Sequence, residues 1–282
     1  MKKIISPLRY PGGKSKVLSF MKELIEENYS VKKPVYVEPY AGGAGVALGL
    51  LINGYVSKIY INDIDPAIHA FWWSVKNKPM ALINKIRKAE ITIKEWRKQK
   101  SIYKNADTRN MFALGFATFF LNRCNMSGVL EGGVIGGLKQ NGKYKMTARF
   151  NKEDLIKRIK LISKHRKNII LYKKDTYKLL KSKKDIFKSC LLYLDPPYYE
   201  KGHQLYKNHY AHDDHQKLSE LMRTLKGNWV VSYDNVTEIK QLYKGFKRKE
   251  FNLTYFAGKI KRGKEIMFFS PKLKFIPNVV LN

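Results

Sequence analysis

The sequence predicts an α/β fold in which a doubly wound, mostly parallel sheet is interrupted by a mostly helical insertion. Strand and helix patterns alternate in the first and last thirds of the chain, whereas the middle third has little strand signal. Two short apolar runs end on carboxylates beside glycine-rich or proline-rich turns, as strands of such sheets do at a ligand site. With 282 residues, the chain is long enough for one large domain plus an insertion.

Hydrophobic periodicity and turn residues predict the elements in order. The first third is predicted to hold helices at 17–27, 46–52 and 66–75 and strands at 34–38 and 59–63. The middle is predicted to hold helical regions at 79–100, 110–121 and 152–164, with a flexible loop of six glycines at 128–142. The last third is predicted to hold strands at 169–172, 191–194 and 229–233, helices at 212–225 and 236–243, and a hairpin of 247–256 with 266–269 joined by a basic loop at 258–264. We therefore expect residues 1–76 and 167–282 to form one domain and 77–166 a second.

Composition limits the class of protein. Lysine and arginine total 55 against 23 aspartate and glutamate, a formal charge of +32 that favours a polyanionic partner such as DNA or RNA. The alternative is an AT-rich genome, which encodes lysine freely, with the charge on solvated surfaces. No apolar run reaches the roughly 18–20 residues of a membrane span, so we expect a cytoplasmic protein. Cys124 and Cys190 lack ligand spacing, which predicts two buried hydrophobic side chains and neither zinc nor a disulfide framework.

The strongest local signal is the apolar strand Leu191–Leu194 followed by Asp195-Pro-Pro-Tyr198 and Tyr199. Ligands of open α/β sheets bind beyond the carboxyl ends of the strands. The turn there offers an acceptor carboxylate, backbone carbonyls and an aromatic face on a backbone that proline stiffens. These groups suit a planar ligand with an amino group, such as a nucleobase. The alternative is a structural turn whose tyrosines pack on the core.

A second signal is the glycine-rich turn 39–45, which follows Glu38 at the end of a predicted strand. The turn is not a P-loop, and the Glu38 carboxylate would repel a pyrophosphate but suit an ammonium group. Asp63 ends the next strand, at the position where an acidic residue typically binds ribose hydroxyls. Lys14, on a separate glycine loop, could pair with a carboxylate. S-adenosylmethionine carries an ammonium, a carboxylate and a ribose without phosphate. The alternative is a packing turn with both acids solvated.

Several motifs occur together in one order: Tyr10-Pro-Gly-Gly-Lys14, Glu38-Pro-Tyr-Ala-Gly-Gly-Ala-Gly45, Asn62-Asp63-Ile-Asp65, Leu121-Asn122-Arg123, Asp195-Pro-Pro-Tyr198 and Val231-Ser-Tyr-Asp-Asn235. Across essentially the whole chain this pattern resembles the Dam-type DNA adenine-N6 methyltransferases in the α-group motif order. The resemblance implies a Rossmann-like methyltransferase sheet. It also implies methyl transfer from S-adenosylmethionine to the exocyclic amino nitrogen of a flipped adenine in double-stranded DNA.

The resemblance implies roles for particular residues. Asp195 and the Pro196 carbonyl would accept hydrogen bonds from the target amino group, and Tyr198 would stack on the flipped base. The residues implied to bind the cofactor are Tyr10, Lys14, Glu38, Ala41, Gly42, Gly43, Asp63, Asp175 and Asp195. Asp175 resembles the acidic contact to the cofactor adenine. No metal is expected, and His203, His209, His212 and His215 are interpreted as part of a polar loop over the base rather than as ligands.

The insertion would then be the target-recognition domain. The residues predicted to contact DNA are Arg9, Asn122, Arg123, Asn125, Met126 and Ser127. Arg123 suits a phosphate or a guanine edge, and Met126 suits an apolar wedge into the gap left by flipping. Arg9 and the basic loop at 259–264 are candidate contacts to the DNA backbone. The alternatives are a solvated loop for Arg9 and for residues 259–264, and a core methionine for Met126.

The recognition loop departs from the family pattern. Members that read GATC carry an arginine near the position of Glu131, and a carboxylate there suits a cytosine amino group instead. We therefore do not expect GATC to be the target. The chain is expected to act as a monomer, with a cognate restriction endonuclease left open. The alternative functions are adenine methylation of RNA and a catalytically silent DNA-binding module.

Overall fold

The computed structural model describes residues 5–9, 15–200, 210–257 and 259–278, and these form two compact units. The first unit comprises Met1–Pro11 and Ile64–Lys173, and the second comprises Gly12–Asp63 and Lys174–Asn282. The predicted boundaries at 76/77 and 166/167 differ from these, because helix and strand segments next to the insertion group with the first unit. That 77–166 alone acts as a target-recognition domain stays a prediction.

The elements follow the predicted order. The strands are β1 (Val35–Glu38), β2 (Lys58–Asn62), β3 (Ile169–Tyr172), β4 (Cys190–Leu194), β5 (Asn228–Asp234), β6 (Lys247–Ala257) and β7 (Lys259–Phe269). The α-helices in the described ranges are α1 (Ser15–Asn28), α2 (Gly45–Ile52), α3 (Pro66–Asn77), α4 (Pro79–Lys88), α5 (Ile93–Asn105), α6 (Met111–Cys124), α7 (Lys152–Lys164), α8 (Thr176–Ser182), α9 (Lys184–Phe187), α10 (His212–Thr224) and α11 (Thr237–Leu242). The α/β prediction is therefore confirmed.

The second unit is built on a sheet whose strands follow the order β2-β1-β4-β5-β7-β6. Neighbouring strands from β2 to β5 are parallel, with Val35 paired to both Lys58 and Cys190. All of β4 is buried, as expected of an apolar central strand covered on both faces. The chain runs from β1 to β2 on one side and from β4 to β5 on the other. The order therefore reverses between β1 and β4, where such sheets open a crevice for ligands.

The C-terminal hairpin is longer than predicted. Strand β7 pairs antiparallel with β5 and β6, and its register continues back to Lys259, opposite Ala257. The prediction of a basic loop at 258–264 was wrong, because residues 259–264 belong to β7. Lysine and arginine are depleted in strands only on average, and pairing with β6 overrides that preference.

The first unit is mostly helical. Helix α6 is buried along most of its length and packs against α3. The contact is close at Gly115, where an added Cβ would lie 2.4 Å from the Ala70 carbonyl oxygen. Phe71 and Phe119 stack across the contact with ring centroids 5.9 Å apart. The aromatic composition predicted for 110–121 therefore forms the core of this unit.

Both cysteines are buried and free, as predicted. Burial raises the pKa of the Cys124 thiol to about 12 and that of Cys190 to about 11. Both thiols are therefore neutral near pH 7, and they behave as small hydrophobic side chains.

Candidate active site

Four adjacent parallel strands of the second unit deliver carboxylates to one edge of the sheet. Glu38 ends β1 and Asp234 ends β5, while Asp63 and Asp195 directly follow β2 and β4. Because parallel strands end on the same side, this edge concentrates negative charge in a chain of net charge +32. The edge includes the crevice between β1 and β4, which makes it the candidate ligand site.

Glu38 lies inside the turn that joins β1 to α2. Its side chain is buried, and Oε1 accepts hydrogen bonds from the Ala47 backbone N–H (3.1 Å) and the Tyr36 hydroxyl (3.2 Å). A carboxylate in the first turn of a helix is stabilised by the helix dipole. Burial, and then the Glu38 charge, hold the pKa of the Tyr36 hydroxyl above its usual value, so Tyr36 remains a donor. The solvated-acid alternative for Glu38 was therefore wrong.

The turn itself is shaped by residues with positive φ. Gly42 has φ +44°, and its N–H donates to Asp63 Oδ2 at 2.9 Å. Ala44 adopts the same left-handed conformation at the cap of α2. Gly45, the first helical residue, is exposed, and an added Cβ there would have no atom within 4 Å. The turn therefore brings Asp63 to Gly42 and leaves open space at the start of the helix.

Asn62 connects this turn to the segment that carries Asp175. Its Nδ2 donates to the carbonyls of Pro39 and Lys174, both at 2.9 Å, and its Oδ1 accepts the Lys174 N–H at 2.9 Å. Asp175 is the N-cap of α8 and accepts the Lys178 N–H at 2.9 Å. The structure thus places Asp175 near the predicted cofactor turn and gives it a capping role there.

The turn after β4 is supported by β5. Asp195 Oδ1 accepts a hydrogen bond from the Ser232 hydroxyl at 2.9 Å, and Ser232 lies 2.9 Å from the Tyr193 hydroxyl. Asp234 accepts the backbone N–H groups of Tyr199 (2.9 Å) and of Glu200 (3.0 Å). The Asp195 carboxylate and the backbone that follows it are therefore fixed by one strand, a preorganised arrangement.

The two tyrosines of this turn are half-buried and hydrogen-bonded. Tyr198 donates its hydroxyl to Glu265 Oε1 of β7 at 2.5 Å. The Tyr199 hydroxyl lies 2.9 Å from His212 Nδ1 of α10. Neither ring is sealed in the core, so the purely structural interpretation of the turn does not account for them.

The histidines following the turn do not form the predicted polar loop where they are described. His212 and His215 belong to α10, and His215 is fully buried with Nδ1 3.0 Å from the Tyr233 hydroxyl. Burial lowers the pKa of His215 to about 4. His203 and His209 lie outside the described residues. Within the described ranges, no group of three histidine, cysteine or acidic side chains is arranged to hold a metal.

Sequence reasoning also missed a tyrosine pair at this site. Tyr40, inside the turn after β1, and Tyr210, just before α10, have hydroxyl oxygens 2.8 Å apart. Burial raises the pKa of the Tyr210 hydroxyl to about 12. No local pattern joins positions 170 residues apart, so only the fold could reveal this pair. The predicted cofactor residues Tyr10 and Lys14 lie outside the described residues.

In the first unit, two predicted DNA contacts are internal. Asn122 accepts the Arg9 N–H at 2.6 Å and donates to the carbonyls of Arg9 (2.8 Å) and Gly128 (2.9 Å). Asn125 accepts the Trp96 indole N–H at 2.7 Å and donates to two backbone carbonyls. Both side chains are buried, so they shape the loop and present no amide at the surface.

Arg123 is buried among other arginines of the same unit. Its Nε has no hydrogen-bond partner among the described residues. Burial, then the charges of Arg158 and Arg9, lower the pKa of its guanidinium to about 10. Arg9 is half-buried and donates Nη1 to the Asn125 carbonyl at 2.9 Å, so the solvated-loop alternative for Arg9 was wrong.

The loop that follows is exposed at Met126. This side chain is 56% accessible, so the core-methionine alternative was wrong. Ser127 is half-buried and has φ +52°. Glu131 is exposed, and its Oε1 accepts the Tyr103 hydroxyl at 3.1 Å. The loop therefore presents an apolar tip and an oriented carboxylate.

A mostly parallel sheet with a glycine-rich turn after β1 and an Asp-Pro-Pro-Tyr turn after β4 belongs to the class of doubly wound α/β proteins that bind nucleotide-like ligands beyond the carboxyl ends of their strands. The model of the D12 class N6 adenine-specific DNA methyltransferases matches residues 10–255. The chain therefore belongs to this family, and it is a site-specific, S-adenosylmethionine-dependent DNA adenine methyltransferase. The predicted family resemblance, function and cofactor are confirmed.

Two curated relatives are type II methyltransferases. M.MjaIII of Methanocaldococcus jannaschii is 29% identical over 269 residues, covering 86% of this chain and 89% of its own length. M.CviBI of Paramecium bursaria Chlorella virus NC1A is 24% identical over 261 residues, covering 88% and 90%. Among solved structures, the rRNA methyltransferase aviRa of Streptomyces viridochromogenes is similar with a TM-score of 0.44 and 9% identity, covering 94% of this chain and 88% of its own. In the described part of the chain, no helix is both long and apolar enough to cross a membrane.

Proposed function

We propose that Asp195, Pro196 and Tyr198 form the catalytic site of this adenine methyltransferase. The observation that carries the proposal is the hydrogen bond from Ser232 to Asp195, which fixes the carboxylate at the carboxyl end of β4, next to the crevice. The amino nitrogen of adenine is a poor nucleophile, because its lone pair is delocalised into the ring. Acceptors at Asp195 and at the Pro196 carbonyl would draw this nitrogen toward tetrahedral geometry and stabilise its developing positive charge.

The residues of the glycine-rich turn suit S-adenosylmethionine. The carboxylates of Glu38 and Asp63 match an ammonium group and ribose hydroxyls, and Gly45 leaves space at the helix terminus. The cofactor supplies an activated methyl group when bound. We assign its binding to Tyr10, Lys14, Glu38, Ala41, Gly42, Gly43, Asp63, Asp175 and Asp195. Since Glu38 already accepts two internal hydrogen bonds, it orients the turn as well.

Tyr198 is assigned to the flipped adenine. Extruding a base from a duplex costs its stacking, which an aromatic face replaces. The ring is half-buried, and its hydroxyl is bonded to Glu265, which leaves the π-face as the group available for stacking. Asp234 would hold the following backbone through Tyr199 and Glu200 while the base enters.

We assign target recognition to the segment 77–166 together with Arg9. Arg9, Arg123, Met126 and Ser127 are the proposed contacts, while Asn122 and Asn125 hold the loop that carries them. The arginines suit backbone phosphates, and exposed Met126 suits an apolar wedge between base steps. Glu131, oriented by Tyr103, suits a base amino group, which disfavours GATC as the target.

The cellular setting is inferred more broadly. We propose a monomer that acts in the cytoplasm on double-stranded DNA. The type II relatives favour a restriction-modification setting, so a cognate endonuclease is the proposed partner.

Expression in a host that lacks adenine methylation, followed by modification-sensitive genome sequencing, tests activity and target together. We expect N6-methyladenine at one short motif other than GATC. In parallel, purified protein should label duplex DNA, and not structured RNA, with methyl-tritiated S-adenosylmethionine. Labelling of RNA alone would favour the RNA alternative. Absence of both labelling and cofactor binding would favour a silent DNA-binding module.

A further inference from the structure

Glu265 is a buried acid whose position the fold does not require. It lies in the middle of β7, opposite Asp234 of β5 and Phe251 of β6, and its side chain is 3% exposed. The next four residues of the strand, 266–269, have apolar side chains, and all four are buried. A carboxylate in such surroundings has a large desolvation cost unless hydrogen bonds compensate it. An apolar residue there would serve the sheet equally well.

One hydrogen-bond partner of Glu265 is the tyrosine of the Asp-Pro-Pro-Tyr turn. The Tyr198 hydroxyl donates to Glu265 Oε1 at 2.5 Å, at the short end of the range for an O–H···O hydrogen bond. Tyr198 and Glu265 are 67 positions apart in sequence, so the bond ties the turn to a distant strand. Hydrogen bonds therefore hold this turn both at the tyrosine side chain and at the backbone, where Asp234 accepts the N–H groups of Tyr199 and Glu200.

The geometry points to Glu265 as a positioning residue for methyl transfer. By fixing the Tyr198 hydroxyl, it sets the plane of the aromatic ring against which the flipped adenine is held. This inference rests on the proposed function of Tyr198. Stacking on a base requires only the ring of a tyrosine. The Tyr198 hydroxyl and its buried acceptor, Glu265, therefore serve to orient that ring. A misplaced ring would lower the rate of transfer, because alignment of the reacting atoms supplies much of the catalysis.

The test compares Glu265→Gln, which keeps a neutral acceptor, with Glu265→Leu, which removes it. Each is made in the wild type and in Tyr198→Phe, which keeps the ring without the hydroxyl. The assay measures transfer of tritiated methyl groups to genomic DNA from a host lacking adenine methylation. We expect kcat to fall about tenfold for Glu265→Leu and about threefold for Glu265→Gln, the scale of losing or weakening one hydrogen bond to a charged group. The KM for S-adenosylmethionine should stay within about twofold, because the cofactor turn is untouched.

The double variants separate positioning from general structure. In the Tyr198→Phe background, neither change at Glu265 should lower kcat further, because the hydroxyl through which it acts is absent. Equal losses in both backgrounds, or full activity of Glu265→Leu, would overturn the inference. Glu250→Gln on β6 is the matched control, since that carboxylate is exposed and bonded to Asn235 and Lys240. Cofactor binding and thermal melting verify folding, and failure of the wild type to label DNA would instead refute the proposed function on which this inference rests.

Discussion

Charge is balanced differently in two regions of the molecule. One is the catalytic edge of the second unit, with Glu38, Asp63, Asp195 and Asp234, and the other is the arginine cluster of the first unit, with Arg9, Arg123, Arg149 and Arg158. At the edge, Asp195 and Asp234 accept hydrogen bonds from a hydroxyl and from backbone N–H groups. In the cluster, Arg123 lies near Arg9, Arg149 and Arg158, and its Nε has no partner among the described residues. The carboxylates are held from within the protein, whereas the arginines carry charge that their unit does not neutralise.

This difference means that the arginine cluster, and not the catalytic edge, would need a bound ligand to balance its charge. The acid whose charge opposes the lowering of the Arg123 pKa is Asp154, which forms an ion pair with Arg158 at 2.6 Å. Buried positive charge in excess of this pair is costly, and the proposed DNA contact would bring a phosphate to balance it. Changes at the edge should therefore affect transfer and leave DNA binding intact. Changes in the first unit should affect folding and binding.

The largest expected effect is at the edge, for Asp195→Ala. Removing the acceptor should lower kcat at least about a hundredfold, by analogy with loss of one preorganised hydrogen-bonding group in other active sites. DNA affinity in a gel-shift assay should change less than about twofold. Asp185→Ala, which removes an exposed carboxylate from α9 of the same unit, is the control and should retain full activity. Undiminished labelling by Asp195→Ala would contradict the assigned role.

In the first unit, the largest effect is expected for Asn122→Ala. The substitution leaves the Arg9 N–H and the carbonyls of Arg9 and Gly128 without their partner. The free energy of unfolding should fall by about 2–3 kcal/mol, since an unsatisfied buried polar group costs about 1–3 kcal/mol. Urea titration measures the change, and Asn84→Ala, at an exposed position of α4, should shift it by less than about 0.5 kcal/mol. Equal stability of the two variants would show that Asn122 does not hold the loop.

The same comparison explains what the sequence could predict. The strands of the second unit are short, apolar and bounded by turns, so their ends and the acids at those ends could be located from pattern alone. The structure confirmed β1, β2, β4 and β5 in this way. Strand β7 was shortened in the prediction, because its first residues are lysine-rich and only the partner strand β6 makes them a strand.

The contacts that support the site could not be read from sequence. Ser232, Asp234 and Glu265 reach the Asp-Pro-Pro-Tyr turn from strands 34 to 67 positions away. Sequence spacing carries no information about such pairs until the sheet order is known. In the recognition loop, by contrast, residues that are close in sequence lie in different environments. Asn122 and Met126 lie in one motif, yet one is buried and the other is exposed, because the helix ends at Cys124 and the backbone becomes extended at Asn125, between them.

A smaller effect is expected at the exposed end of this motif, for Met126→Ala. If the side chain fills the gap left by the flipped base, its loss should lower kcat/KM on paired duplex about fivefold, on the scale of a few kcal/mol at most for unstacking. A duplex with a mismatch opposite the target adenine should be methylated at nearly the wild-type rate, because that base is already destabilised. Met80→Ala, which changes another exposed methionine of the first unit, should leave both substrates unaffected. Equal losses on both duplexes would argue against a wedge.

The smallest effect is expected behind the catalytic edge, at His215. Burial holds its pKa at about 4, below the value of about 6.5 for an unfolded chain. Between these values the unfolded state binds a proton that the folded state excludes, so this histidine makes stability fall as the pH drops from about 6.5 to 4. We expect the melting temperature of the wild type to fall further across this window than that of His215→Gln, which cannot titrate.

Tyr233→Phe separates this titration from the loss of a hydrogen bond. It removes the hydroxyl that lies 3.0 Å from His215 Nδ1 but leaves the histidine free to ionise. We expect this variant to be less stable than the wild type at every pH. It should still lose further stability as the pH falls, because burial is the cause of the low pKa of His215. Should Tyr233→Phe lose the acid sensitivity and His215→Gln retain it, the buried imidazole would not be the titrating group.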